Sequence, residues 1–361
     1  MSNLQCILRA RGIPSKICSS FLVKRVFERY QGARRQLTSL PSTKIYAGQQ
    51  FEEETLPWYS PSQFYPVLGK LGYDTGFVAI RVCARNTDRS GRVHRELQFY
   101  HHVSSLGSQH CGQRLICGLF EMFEISGSSS QHLCLVHPSM HMIVQELQYK
   151  NQSHRLNQEL LKWMFVHLLN ALSFLHDEAK VVQADINPPN IMLTTDAEDP
   201  SPTNVIDNGQ PALCGFGEAR IEGSHRGLVV PELYRTPEVL FEMEWGASAD
   251  IWNVAVSNRH LFAAVDENLE SLATHHFAEM DRYLGLPSLE YIQISTITKS
   301  IFDERGSVFL HLSFDAAVSV LDSETKEQFP NFIGSMLKCL PEQRKQASEL
   351  LKDPWMAVPS R

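Results

Sequence analysis

The chain of 361 residues is 43% apolar and 20% charged, the proportions of an ordinary globular protein with room for two lobes or for one domain and an extension. No apolar run reaches the roughly 18 residues that cross a bilayer, which argues against an integral membrane protein. The eight cysteines are scattered without a CxxC pair, so they read as reduced thiols and a zinc site is not expected.

The net charge of −7 is unevenly spread. Residues 1–50 hold nine Lys and Arg against one acid, Glu28, so that segment is +8 and the remainder −15. An acidic body argues against nucleic acid as a direct ligand, because phosphate binding needs a cationic face. It is compatible with basic protein partners and equally with simple solubility. Within the basic segment, Leu22, Val23, Val26, Phe27 and Tyr30 fall on one side of a helix and Lys24, Arg25, Glu28 and Arg29 on the other. Three readings remain open for residues 1–50: a mitochondrial presequence, a membrane-surface helix or a disordered basic arm. All three place the segment outside the fold, and localisation stays undecided between cytoplasm or nucleus and mitochondrion.

From Phe51 the composition becomes mixed and acidic. LGKLGYDTG, residues 68–76, is a glycine-rich stretch ahead of FVAIRVCA, residues 77–84, which reads as a buried strand. Residues 93–106 predict a helix through Val93, Leu97, Tyr100 and Val103. His132–Val136 is a further short strand. Residues 157–178 form the strongest helical pattern, with Leu161, Phe165, Leu168, Leu172 and Leu175 spaced by 3–4 and Asn157 placed as an N-cap. Ile191–Thr194 and Ala212–Phe216 read as short strands around a Pro/Asp/Asn-rich loop, and beyond residue 230 the pattern is mostly helical. Strands first and helices later predict an α+β protein of two unequal lobes.

Four features carry chemistry through their order. The glycine stretch comes first, and then VAIR, residues 78–81, ends a strand in the cation Arg81, with Glu96 in the next helix as its partner. VVQADINPPN, residues 181–190, follows the long helix with an aspartate and, five residues on, an asparagine. GFGEAR, residues 215–220, follows a short strand and precedes TPE at 236–238 and DIW at 250–252. Each piece alone is an ordinary turn, surface cation or helix residue, whereas the series in this order is not expected by chance.

In this series the chain resembles the eukaryotic protein kinase family. LGKLGY, the stretch at 213–220, YRTPEVL, ADIWNVAV, HHFAEMDRYLGLP and ELLKDPW are most similar to SR-protein kinases, in particular short fungal ones. The resemblance spans residues 51–357 and implies a bilobal protein kinase-like fold with a truncated, β-rich small lobe (51–137) and a larger helical lobe (138–361). It implies ATP-dependent phosphoryl transfer to protein serine or threonine, with ATP and Mg2+ as cofactors and arginine-serine-rich proteins as substrates or partners. On this match Asp185 is the catalytic base and Asn190 a metal ligand, while Gly72, Gly76, Ala79, Arg81 and Glu96 belong to the ATP site. Glu238 with Arg344, and Asp250, are carried over as structural groups.

The departures fall on function. Gly215 stands where the family has the aspartate that holds magnesium, and glycine offers no side-chain oxygen. Arg81 replaces a lysine, keeping charge but exchanging a compact ammonium for a planar fork. Asp74 stands where a second glycine is expected, and its carboxylate repels a triphosphate. Gln183 and Ala184 precede Asp185 in place of His-Arg or His-Thr, which predicts a lost packing support. The strand that should follow Gly76 is missing, and the central helix is cut short after Val256. Removal of coding segments as introns would account for the two gaps, but not for Gly215, Asp74 or Arg81. Weakened or lost transfer, and a non-catalytic scaffold that binds proteins, are the two functional expectations.

Overall fold

In the computed structural model, the described residues are 6–8, 78–83, 91–126, 131–138, 140–150, 156, 158–194, 209–231, 234–257, 280, 291 and 328–357. They divide into two compact units, Met1–Gly107 with Cys117–His141 and Leu193–Gln210, and Ser108–Ile116 with Met142–Met192 and Pro211–Arg361.

The first unit is a four-stranded antiparallel sheet with one helix. Strand β1 (Cys6–Leu8) pairs with β2 (Val78–Val82), Cys6 lying opposite Ile80. Helix α1 (Arg92–Ser105) follows, then β3 (Glu121–Ser126) and β4 (Gln131–Pro138), in the sheet order β1-β2-β4-β3. β1 departs from the expectation for residues 1–50, since three residues of that segment sit on a sheet edge. Strand alternation sends Ile80 to one face, where it packs with Phe123, Cys134 and Val136, and sends Ala79 and Arg81 to the other. The glycine stretch with Gly72, Asp74 and Gly76 lies outside the described residues.

The second unit is mainly helical. After β5 (Met140–Ile143) come α2 (Val144–Lys150) and α3 (Gln158–Ser173). The predicted apolar stripe of α3 is its buried face, including Leu161, Phe165, Leu168 and Leu172. Asn157, the expected N-cap, lies outside the described residues. The helix does not continue to 178 in α form: Phe174–Ala179 widen into a π-turn, closed by Lys180 in the left-handed region at φ 56°. Then follow β6 (Val181–Val182), β7 (Ile191–Thr194), β8 (Pro211–Leu213) and β9 (Arg220–Ile221).

The strand expected over 212–216 ends at Leu213, because Gly215 adopts φ 74° and ψ 51° and turns the chain into a 3-10 turn at Phe216–Glu218. Thr236 caps α4 (Pro237–Leu240) by accepting from the Val239 amide, with Pro237 in the first turn. Helix α5 (Ala247–Ser257) is the buried centre of the unit, and the residues after Ser257 lie outside the described set until α6 (Gln328–Met336), Met280 and Tyr291 apart. In α7 (Ala347–Leu350) Gln346 and Glu349 cap each other reciprocally. Phe165, Phe332 and Trp355 close the core with ring centroids 4.8–5.8 Å apart.

Candidate functional site

The loop between β6 and β7 carries Asp185 and Asn190, and four side chains, those of Asp250, Gln183, Asn187 and Asn190, fix its shape. Asp250, fully buried on α5, accepts the backbone amides of Gln183 at 2.8 Å and Ala184 at 2.9 Å, one on each oxygen. Its Oδ2 also lies 2.9 Å from His176 Nε2, from the π-turn. These bonds hold Ala184 at φ 60°, a conformation that costs an L-residue about 1–2 kcal/mol when unsupported. Asp250 is therefore an anchor of the loop backbone.

Gln183 corrects an expectation. Its side chain does not leave a gap where the family has histidine. Buried completely, it donates through Nε2 to the carbonyls of Cys214 at 2.9 Å and Gly215 at 3.0 Å, while Oε1 accepts from the Asp185 amide at 2.6 Å. One amide thus ties the Asp185 loop to the Gly215 turn with every polar atom used. Asn187, also unremarked in the sequence, donates to the Asp185 carbonyl at 3.0 Å and to Oδ1 at 2.9 Å, and its own Oδ1 accepts from the Asn190 amide. The signal was available in principle, since Asn ahead of Pro-Pro is a turn-capping pattern.

Asn190 completes the ring. Its Nδ2 donates to the Asp185 carbonyl at 2.7 Å and to Oδ2 at 3.0 Å. Both carboxylate oxygens of Asp185 thus accept amide hydrogens from neighbours in its own loop. Asp185 and Asn190 are brought together as the motif predicts, with Gly215 beside them.

Magnesium, the ion the family implies, needs several hard oxygen donors. A Cβ built on Gly215 would lie 2.4 Å from Asn190 Oδ1 and 2.5 Å from its Cγ, so the Asn190 amide fills the volume of a ligand side chain at 215. Glu218 offers no replacement: its carboxylate lies 3.4 Å from Arg220 Nη2. Among the described residues no group of three His, Cys, Asp or Glu side chains is arranged to hold a metal. The residues present do not fit the ion.

In the first unit Arg81 and Glu96 meet as expected. Nη2 of Arg81 pairs with Oε2 of Glu96, which is 3% exposed. Burial alone would lower the Arg81 pKa; the charge and hydrogen bond of Glu96 outweigh it and raise it. Arg81 Nε is buried and finds no hydrogen-bond partner among the described residues. Ala79 lies two residues back on the same face of β2, opposite His137 of β4. The His137 ring was not foreseen: Nδ1 lies 3.0 Å from the Gly118 carbonyl and Nε2 4.0 Å from Glu96 Oε1. Burial lowers the His137 pKa, but Cys117, the Gly118 carbonyl and Glu96 together raise it. Cys83 and Cys134 are buried thiols, the latter pushed up to about 12 by desolvation.

Glu238 and Arg344 form a bidentate pair at 2.7 Å for both bonds, fully inside the second unit. Gly72 and Gly76 lie outside the described residues.

An antiparallel sheet whose strand cation pairs with a helix glutamate, together with an Asp-x4-Asn loop hung from a buried helix aspartate, defines a protein kinase-type chain. The protein kinase domain matches residues 72–356, and the chain belongs to that family. It is 29% identical to a serine/threonine protein kinase of Aspergillus fumigatus over 91% of this chain and 98% of the relative. It is 24% identical to the dual specificity protein kinase CLK1 of Mus musculus over 77% of this chain and 60% of that protein. A probable dual specificity protein kinase of Caenorhabditis elegans, madd-3, is 28% identical over 61% of this chain and 26% of its own length.

Proposed function

We propose that this chain descends from an ATP-dependent serine/threonine kinase of the SR-protein kinase type, that phosphoryl transfer in it is weakened or lost, and that it acts by binding protein partners. The observation that carries this reading is the Gly215 turn. The position that should supply a magnesium ligand has no side chain, and its volume is filled by Asn190. Without the ion, nothing on this loop neutralises charge developing on a transferred phosphoryl group. Asp185 keeps the identity of the base, but each of its oxygens already accepts an amide hydrogen. Arg81 keeps a cation on the strand, with its guanidinium committed to Glu96.

The hydrogen-bond network of the second unit supports retention as a scaffold, because a loop held by Asp250, Gln183, Asn187 and Asn190 keeps its shape without nucleotide. Arginine-serine-rich proteins are the partners the family resemblance suggests, and the acidic body suits their charge. Among the described residues no helix is long and apolar enough to cross a membrane.

The test is a thermal melt of the full chain with ATP, with and without magnesium, beside a phosphorylation assay on an arginine-serine peptide. A ligand at a hundred times its dissociation constant adds about 2.7 kcal/mol to the folded state, which a melt resolves. No magnesium-dependent rise and no transfer is the expected result. Magnesium-dependent phosphorylation that is abolished in Asp185→Ala would overturn the reading.

A further inference from the structure

We infer that Asn190 is not a metal ligand in this chain but the replacement for one: its side-chain amide occupies the space vacated at Gly215 and bonds the loop into a closed unit that needs no ion. The orientation of the amide follows from its surroundings. Nδ2 faces two acceptors on Asp185, the carbonyl at 2.7 Å and Oδ2 at 3.0 Å, so the nitrogen is the atom turned toward Asp185 and Oδ1 is left beside Gly215. Every atom of the amide falls within 2.4–2.8 Å of the position a Cβ at 215 would take. That is a direct overlap, and it involves the whole planar group rather than a flexible tip.

The backbone of Asn190 is held as firmly as its side chain. Its amide is bonded to Asn187 and its carbonyl accepts from the Cys214 amide at 2.8 Å, next to the turn. On the other side, Gln183 grips the carbonyls of Cys214 and Gly215. Asn190 therefore cannot move away from Gly215 without breaking two bonds to Asp185, and the Gly215 turn cannot retreat without releasing Gln183. Two separate features thus refuse a side chain at 215: the left-handed backbone at φ 74° and the occupied volume. The first belongs to position 215 alone, the second is shared with position 190. Restoring an aspartate at 215 by itself does not rebuild a metal site, because the new side chain and Asn190 compete for one place.

The shared feature is measurable whether or not the protein transfers phosphate. In the full chain, the denaturation equilibria of the native protein, Gly215→Ala, Asn190→Ala and the double variant form a closed cycle. The left-handed backbone alone makes Gly215→Ala shift the equilibrium by a factor of roughly 5–30 toward unfolding, and this factor is common to both backgrounds. The expected result is a shift at least about tenfold larger with Asn190 present than with Ala at 190, consistent with the interaction energies of residues in contact. Equal shifts in the two backgrounds would overturn the proposal, as they would show that Asn190 swings aside freely. Should Gly215→Ala alone fail to fold, folding of the double variant counts for the proposal and its failure against it. A second readout uses Mn2+ with ATP and follows the relaxation of water protons. Identical relaxation for the native chain and Asn190→Ala is expected. An enhancement seen only with Asn190 would make it a metal ligand and end the argument.

Discussion

Two buried Arg–Glu pairs in this molecule have different fates. Arg344 presents both guanidinium nitrogens to Glu238 at 2.7 Å, gives Nε to the Lys338 carbonyl at 2.8 Å, reaches the Ser248 carbonyl at 3.0 Å and stacks over Trp252 at 5.0 Å. Its planar fork is matched on each side. Arg81 meets Glu96 through one nitrogen, leaves Nε without a partner among the described residues, and shares the carboxylate with His137. The Glu238–Arg344 pair has the geometry that an arginine rewards, whereas the Arg81 fork is only partly matched. Among the described residues, the Glu238–Arg344 pair is matched on every guanidinium nitrogen and the Arg81–Glu96 pair is not.

Truncating each arginine sharpens that contrast. Arg344→Ala leaves Glu238 buried with its guanidinium gone, and the expected loss is about 3–5 kcal/mol. That is a large share of the roughly 5–15 kcal/mol that holds a domain, so urea denaturation should find the variant at or past the edge of folding. A cost under about 1 kcal/mol would show the two pairs to be alike and remove the distinction. Arg81→Ala removes a one-nitrogen ion pair, a contact with Cys83 and an unpartnered buried Nε, and His137 remains near Glu96. Its expected cost is smaller, about 1–3 kcal/mol in the same titration. Equal losses for Arg81→Ala and Arg344→Ala would break the comparison from the other side.

Much of this frame was legible in the sequence. The 3–4 spacing of Leu161, Phe165, Leu168 and Leu172 announced α3 because that helix buries one whole stripe. Glu238 and Arg344, 106 residues apart, came from the family resemblance and not from any local pattern. Strand β3 was not read at all. Its Phe123 is buried, but Glu121, Glu124 and the exposed Met122 beside it blur the alternation. At the site, residue identities exposed what was missing, namely the carboxylate at 215, and could not show what had taken its place. That Gln183 spans two carbonyls and Asn190 fills the Gly215 volume depends on distances between segments 25–32 residues apart. A left-handed glycine looks like any other glycine in a string, which is why the strand at 212–216 was expected to run through it.

The finest difference between the two pairs is their response to pH. No histidine pairs with Glu238 among the described residues, whereas His137 places each ring nitrogen before an acceptor, the Gly118 carbonyl and Glu96. Only the doubly protonated ring serves both. The other titratable or charged groups that face it are Cys117 before β3, whose side chain hydrogen-bonds the ring, and Tyr100 on α1, with Arg81 on the shared Glu96 carboxylate. Because the folded state raises the His137 pKa above its ordinary value of about 6.5, the stabilisation is complete below that value and is lost as pH rises through the folded one. Melting temperatures of the native chain and His137→Phe, compared at pH 5.5 and pH 8.5, isolate this contribution, since acid effects elsewhere are common to both proteins. The native chain should hold its larger advantage, or smaller deficit, at pH 5.5. A difference that stays flat across the range would mean that Cys117, the Gly118 carbonyl and Glu96 do not together favour the charged ring.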